Sequence, residues 1–306
     1  MAKFGYYLFI IPLSYLPLPV LYILTDIFYL LIITVIPYRR RVVEKNIERS
    51  FPNKSKRERK RIKLKFYRHL TDLLAEGIKS ITISESGIHK RIKVVNPEVM
   101  DRLYAKKQNV ILVSGHYNNW EWVVNGQDLL FKHKAIGIGM PLSSKFWDKK
   151  INERRSRFGM TVVHAKNYKA ELEKRKAEVK AILVLSDQSP GNSLKSYWMD
   201  FLNQKTAVLF GAELMANTLD YPVVFFALKK VKRGSYTMKL TLITEKPTEL
   251  KWGEITVSHT KLLEEEIVSN PQYWLWSHKR WKREMPGNIE SLKNEQREKF
   301  NTKFNR

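Results

Sequence analysis

The residues best equipped for chemistry lie in one short stretch, His116-Tyr117-Asn118-Asn119-Trp120-Glu121, which follows the apolar run Val110-Ile111-Leu112-Val113 and a Ser114-Gly115 step. An imidazole at the end of a buried strand, with a carboxylate five residues on, supplies a general base and a group to orient it. The spacing restricts the geometry. On a continuous α-helix, residues five apart lie about 140° apart around the axis and share no hydrogen bond. His116 is therefore expected before a helix and Glu121 in its first turn. Gly115 would allow a sharp exit from the strand, and Asn118 or Asn119 would cap the helix carrying Trp120, Val123, Val124 and Leu129.

Three other groupings carry reactive or binding side chains. Asp187-Gln188-Ser189-Pro190-Gly191 closes a second apolar run; its composition suits a turn, and its place at a strand end suits a site. Arg154, Arg155 and Arg157, before Phe158-Gly159, end an expected helix. Guanidinium groups there either grip phosphate oxygens as a fork or simply complement the helix dipole. The segment from Tyr273 to Arg283 mixes tryptophans with cations and holds His278 and Arg280. It suits single-stranded nucleic acid or an interfacial aromatic belt, and His278 equally suits a core position. Asp187, Gln188, His278, Arg280 and the three arginines are the candidate substrate-binding residues.

Composition removes several mechanisms. With no cysteine among 306 residues, disulfides, thiolate metal sites and a thiol nucleophile are excluded. No G-x-S-x-G elbow occurs around Ser114. The seven histidines are scattered without a helical pair at ligand spacing, so no metal or cofactor is assigned.

The elements that must position these groups follow from the pattern. Expected strands are 92–95, 110–114, 135–139, 161–164, 181–185, 223–228 and 236–243, alternating with helices at 145–158, 168–179 and 206–219. That rhythm predicts an α/β fold, a central mostly parallel mixed sheet flanked by helices, with chemistry at the carboxyl ends of strands. Residues 4–36 are almost wholly apolar, interrupted by Pro12, Pro17, Pro19 and Asp26. They predict an N-terminal hydrophobic membrane helix, spanning or re-entrant, with a buried core hairpin as the alternative, and Arg39, Arg40, Arg41 and Lys45 beyond it place the bulk of the chain on the cytoplasmic side. Residues 53–65 suit a basic amphipathic helix on an anionic membrane or a solvated face. The expected divisions are an anchor at 1–37, a basic helical region at 38–86, a catalytic α/β domain at 87–290 and a polar tail at 291–306. A formal charge of +25 calls for a strongly anionic partner.

The H-x-x-x-x-E element at His116 and Glu121, the turn at Arg155-Ser156-Arg157, Asp187-Gln188, the stretch from Phe201 to Leu219 before Tyr221-Pro222, and the closing Trp276-Ser277-His278-Lys279-Arg280-Trp281-Lys282 occur in a familiar order. In these the sequence resembles the late acyltransferases of lipid A biosynthesis, the lauroyl/myristoyl transferase family, itself similar to the glycerolipid acyltransferases. The resemblance runs from the anchor, with Asn46 and Phe51-Pro52, to about Gly287. It departs at Met199-Asp200-Phe201-Leu202 and at Ser277. It implies acyl transfer from a thioester on acyl carrier protein or coenzyme A to a hydroxyl of a lipid A precursor, at the cytoplasmic face of the inner membrane. His116 would act as base and Glu121 as its partner. Rival readings are an acyltransferase for another lipid, such as an aminolipid or glycolipid, and a non-catalytic basic protein bound to membrane or nucleic acid; the first reading expects no nucleic acid.

Overall fold

The structure, a computed structural model, describes residues 2–306, with the backbone alone at Ala2. Two short helices, α1 (Ala2–Gly5) and α2 (Ile11–Tyr15), joined by a π-helical turn at Tyr6–Ile10, lead into α3 (Leu18–Thr34). Then come α4 (Arg40–Ser50), α5 (Lys56–Lys79) and α6 (Glu85–Arg91). The alternating part contains β1 (Ile92–Val94), α7 (Glu98–Ala105), β2 (Val110–Ser114), α8 (Trp120–Leu130), β3 (Lys134–Gly139), α9 (Lys145–Arg155), β4 (Thr161–His164), α10 (Tyr168–Lys174) and β5 (Lys180–Leu185). It continues through β6 (Tyr197–Phe201), β7 (Gln204–Val208), α11 (Gly211–Leu219), β8 (Val223–Lys232), β9 (Ser235–Thr244), α12 (Glu254–Ser269) and α13 (Ile289–Lys303).

Seven strands form one sheet in the order β1-β9-β8-β2-β5-β3-β4, parallel throughout except for β8 against β9. The expected α/β class and mixed sheet are therefore present. All five residues of β2 are buried because both faces are covered, which is why this strand reads as an unbroken apolar run. Alternate side chains feed two layers. Ile111, Val113, Ile182 and Phe225 pack on one face with Met215, Leu263 and Trp276, while Leu112, Leu183, Val224 and Phe226 pack on the other with Ile88, Met100 and Trp122. Ser114 pairs with Leu185, so β2 and β5 end level and the residues that follow them emerge side by side.

The stretch 206–219, expected as one helix, begins as a strand. Thr206, Ala207 and Val208 belong to β7, which pairs with β6 as an antiparallel hairpin, and the helix starts at Gly211. Residues 291–306 contain most of α13, whose buried Phe300 lies against Phe210.

The membrane-spanning helix is corrected. Among the described residues no helix is long and apolar enough to cross a membrane. Extended backbone at Leu16 and Pro17 breaks the apolar run. The remaining 17 residues of α3 reach about 26 Å at ~1.5 Å per residue, short of a hydrocarbon core of about 30 Å. One side of α3 is also occupied: Leu18, Leu21, Tyr22, Thr25 and Ile32 are buried, and Asp26 lies 2.9 Å from Arg68 of α5 and pairs with Arg233. The opposite side leaves Ile23, Ile27, Leu30 and Leu31 exposed.

Candidate active site

The loop after β2 places His116 as the spacing required. The α8 helix starts at Trp120, and the Asn119 side chain caps it by accepting from the Trp122 amide at 2.9 Å, leaving His116 outside the helix and Glu121 in its first turn. Gly115 serves a different purpose from the one expected. Its φ is not in the left-handed region. A Cβ there would lie 2.5 Å from a Leu263 methyl and 3.0 Å from the Asp187 carboxyl carbon, so glycine allows Asp187 to come close.

Asp187, not Glu121, is the partner of His116. Its Oδ1 lies 2.6 Å from His116 Nδ1, and Oδ2 accepts from the His116 amide and from Trp274 Nε1, each at 2.8 Å. This follows from the register: the two groups leave neighbouring parallel strands at the same level. Burial alone would raise the Asp187 carboxyl, yet the His116 charge and the hydrogen bonds from His116 and Trp274 outweigh it and hold the group at about 2. A fixed carboxylate on Nδ1 sets the tautomer with the proton on that nitrogen and the lone pair on Nε2. The Gln188 amide nitrogen stands 3.2 Å from Nε2, a donor facing that lone pair. An imidazole so held is able to take a proton at Nε2 while the carboxylate steadies the resulting cation.

Glu121 makes no hydrogen bond to His116. Its Oε2 accepts from Arg154 and its Oε1 from Arg155, both at 2.5 Å. Burial opposes its ionisation, but Arg155 and Arg154 prevail and hold it at about 2. Two of the three candidate arginines are thus brought together. Arg157 is not: it donates to the Ser80 carbonyl at 3.0 Å and covers the Phe158 ring.

The closing segment frames the site from behind. Trp274 and Trp276 are 2% and 0% exposed, so neither the stacking platform nor the aromatic belt expected there exists. The Asn118 amide donates to the Tyr273 carbonyl at 2.9 Å, and Trp274 reaches Asp187, a role that no local pattern announced. His278 Nε2 accepts from the Ser189 amide at 3.0 Å, steadying the loop after Asp187. Arg280 is buried and spends its guanidinium on the Ala207 carbonyl at 2.8 Å. The structure gives these two residues supporting contacts within the fold.

Behind the loop, Glu76 of α5 is fully buried and accepts from Tyr22, Asn119 and Tyr236, tying α3 to the cap of α8. Burial pushes its pKa up. An apolar cavity of about 570 Å³ opens between α3, α5 and α9, lined by Ile32, Leu70, Leu74, Gly77, Trp147 and Ile151 and reaching Trp120, Glu121, Arg154 and Leu275. Trp120 meets the His116 ring edge-on at 5.0 Å. No group of three or more His, Asp or Glu side chains able to hold a metal occurs among the described residues.

Histidines whose pKa values desolvation depresses, His69, His133, His259 and His278, make stability pH-dependent. Burial holds His259 and His278 at about 4, below the ordinary 6.5. A base whose folded pKa is depressed contributes stability that is present above its unfolded value and lost as pH falls through the folded one. The melting temperature is expected to drop between pH 6.5 and 4, and His259→Asn to flatten that drop; an unchanged slope would remove His259 from the cause.

A sequence profile of bacterial lipid A biosynthesis acyltransferases matches residues 2–283. The chain belongs to that family. It is accordingly an acyltransferase of lipid A biosynthesis type, as the resemblance implied. Among curated relatives, the lipid A biosynthesis lauroyltransferase of Escherichia coli (strain K12) is 23% identical over 269 residues, 87% of this chain and 87% of that protein. The lipid A biosynthesis palmitoleoyltransferase of the same organism and a lipid A biosynthesis acyltransferase of Shigella flexneri are each 21% identical, over 80% of this chain and 79% of theirs. Within the family match fall His116, Asp187, Glu121 and the whole wall of the cavity.

Proposed function

We propose that this acyltransferase moves a fatty acyl group from a thioester, on acyl carrier protein or coenzyme A, to a hydroxyl of a lipid A precursor, with His116 as general base and Asp187 as its partner. The observation that carries this reading is an imidazole, fixed by a buried carboxylate, beside an apolar cavity large enough for a hydrocarbon chain. As the acceptor oxygen attacks the thioester carbonyl, its proton passes to Nε2. The C–O bond forms, the tetrahedral oxyanion collapses, the C–S bond breaks, and the imidazolium returns the proton to the departing thiolate. Direct transfer agrees with a chain that has no cysteine. The oxyanion would be met by backbone N–H groups at the start of α8, beyond the one that Asn119 caps, or by Arg154 and Arg155, which Glu121 aims.

In the same reading the exposed side of α3 lies in the interface of the cytoplasmic leaflet, the protein resting on the inner membrane without spanning it. A second groove, of about 460 Å³, runs beside it, lined by Tyr29, Arg57, Lys60, Arg61, Lys65 and Arg68. It would meet phosphate headgroups there.

Purified protein supplied with acyl carrier protein or coenzyme A thioesters and a lipid A precursor is expected to yield the acylated lipid, identified by mass. Release of free fatty acid without lipid product would sink the proposal. For the membrane contact, the protein is expected to sediment with anionic vesicles. The double change Ile27→Asp and Leu31→Asp should weaken that binding by more than tenfold, because each side chain removes about 1.5–3 kcal/mol of apolar burial. Unchanged binding would take α3 out of the interface.

A further inference from the structure

We infer that Gly77 sets how long a hydrocarbon chain the cavity admits; this rests on the cavity's being the acyl site. Seven residues of α5 and the turn after it line the cavity, and four of them, Leu70, Leu74, Gly77 and Ile81, follow the alternating steps of four, three and four that keep residues on one side of a helix. Three of these four carry large side chains. The fourth carries none.

Nothing in the backbone asks for that glycine. Its φ is not positive, and a Cβ added there meets no atom within 4 Å. The position therefore needs neither left-handed geometry nor close packing, the two usual reasons for glycine. Glycine inside a helix is also less favourable than alanine. What its absent side chain leaves is space inside the cavity, at a telling level. The preceding residue, Glu76, accepts from Asn119, the cap of the helix that carries Trp120 and Glu121, so Gly77 stands level with the reactive end. The same cavity is also lined by Tyr6, Ile10, Ile81, Trp147, Lys150 and Ile151, with Tyr6 meeting Trp147 at 5.7 Å between ring centroids, and in this inference they bound the end that a longer chain reaches. A chain continuing to that end passes over Gly77, and a side chain there narrows the way.

The test is a graded series, Gly77→Ala, Gly77→Val and Gly77→Leu, read in two ways. Saturated fatty acids of eight to sixteen carbons are titrated while tryptophan emission is followed, since Trp120 and Trp147 line the cavity. In parallel, acyl-carrier-protein thioesters of the same lengths compete in one reaction whose products are weighed by mass spectrometry. We expect the length of tightest binding to fall stepwise along the series, and Gly77→Leu to disfavour the longest chain that the wild type accepts by at least tenfold relative to the shortest, the scale at which an apolar pocket discriminates a methylene. The melting temperature of Gly77→Ala should not fall. An equal loss at every length, or an unaltered preference in a folded Gly77→Leu protein, would overturn the inference. If the wild type binds the acids but transfers nothing to lipid, the reaction proposed above fails while the binding series still decides the role of Gly77.

Discussion

Replacing His116 by alanine is expected to lower turnover about a hundred- to ten-thousandfold, the usual contribution of a positioned general base, with lipid binding nearly unchanged. Asp187→Asn should be almost as damaging. The amide retains the shape but offers no charge, and it can turn an N–H toward Nδ1, which reverses the tautomer and removes the lone pair from Nε2. Because the two residues act as one unit, the double variant should be little worse than either single one. Losses that multiply would mean that Asp187 works apart from the imidazole. Thermal melting of each variant separates damage to the reaction from damage to the fold, which matters because Asp187 also receives Trp274.

Glu121→Gln is expected to be the next most severe change, for a different reason. A neutral amide cannot balance Arg154 and Arg155, each of which lies 2.5 Å from a Glu121 oxygen, and the two guanidinium groups would separate. If they steady the oxyanion, turnover should fall on the order of a hundredfold, the scale of losing one oxyanion donor. The loss should be the same factor at every pH, since the His116–Asp187 pair stays intact. A Glu121→Gln protein whose pH profile shifts in the manner of Asp187→Asn would return Glu121 to the imidazole.

Much of this architecture is legible in the residues themselves. The run at Val110–Ser114 and its neighbours announced buried parallel strands because both faces of the sheet demand apolar side chains, and the five-residue gap from His116 to Glu121 fixed a loop followed by a helix start. The choice of carboxylate was not readable. Sequence distance favoured Glu121 over Asp187, which is 71 positions away. What brings Asp187 near is the pairing of Ser114 with Leu185, a property of two strands together that neither contains. The hairpin at Tyr197–Phe201 and Gln204–Val208 was hidden by its turn. Leu202 and Asn203 both take positive φ, 50° and 60°, where Asn-Gly or Asp-Gly would have given a signal. Burial of Leu202, 1% exposed, offsets a conformation that leucine disfavours. The tryptophans at 274 and 276 misled for a related cause: an aromatic-basic stretch looks alike whether it faces solvent or fills a core.

The seating of the first fifty residues bears on how this enzyme can be handled. Asn46 donates to the carbonyls of Trp276 and His278, both at 2.9 Å, and Arg39 to that of Ser277, so α4, directly after the apolar leading helices, braces the very strip that delivers the indole of Trp274 to Asp187. A version shortened through residue 50 is expected to lose the α3 wall of the apolar cavity and the α4 support behind Trp274 in a single cut. The segment proposed to touch the bilayer is thus also a wall of the candidate site.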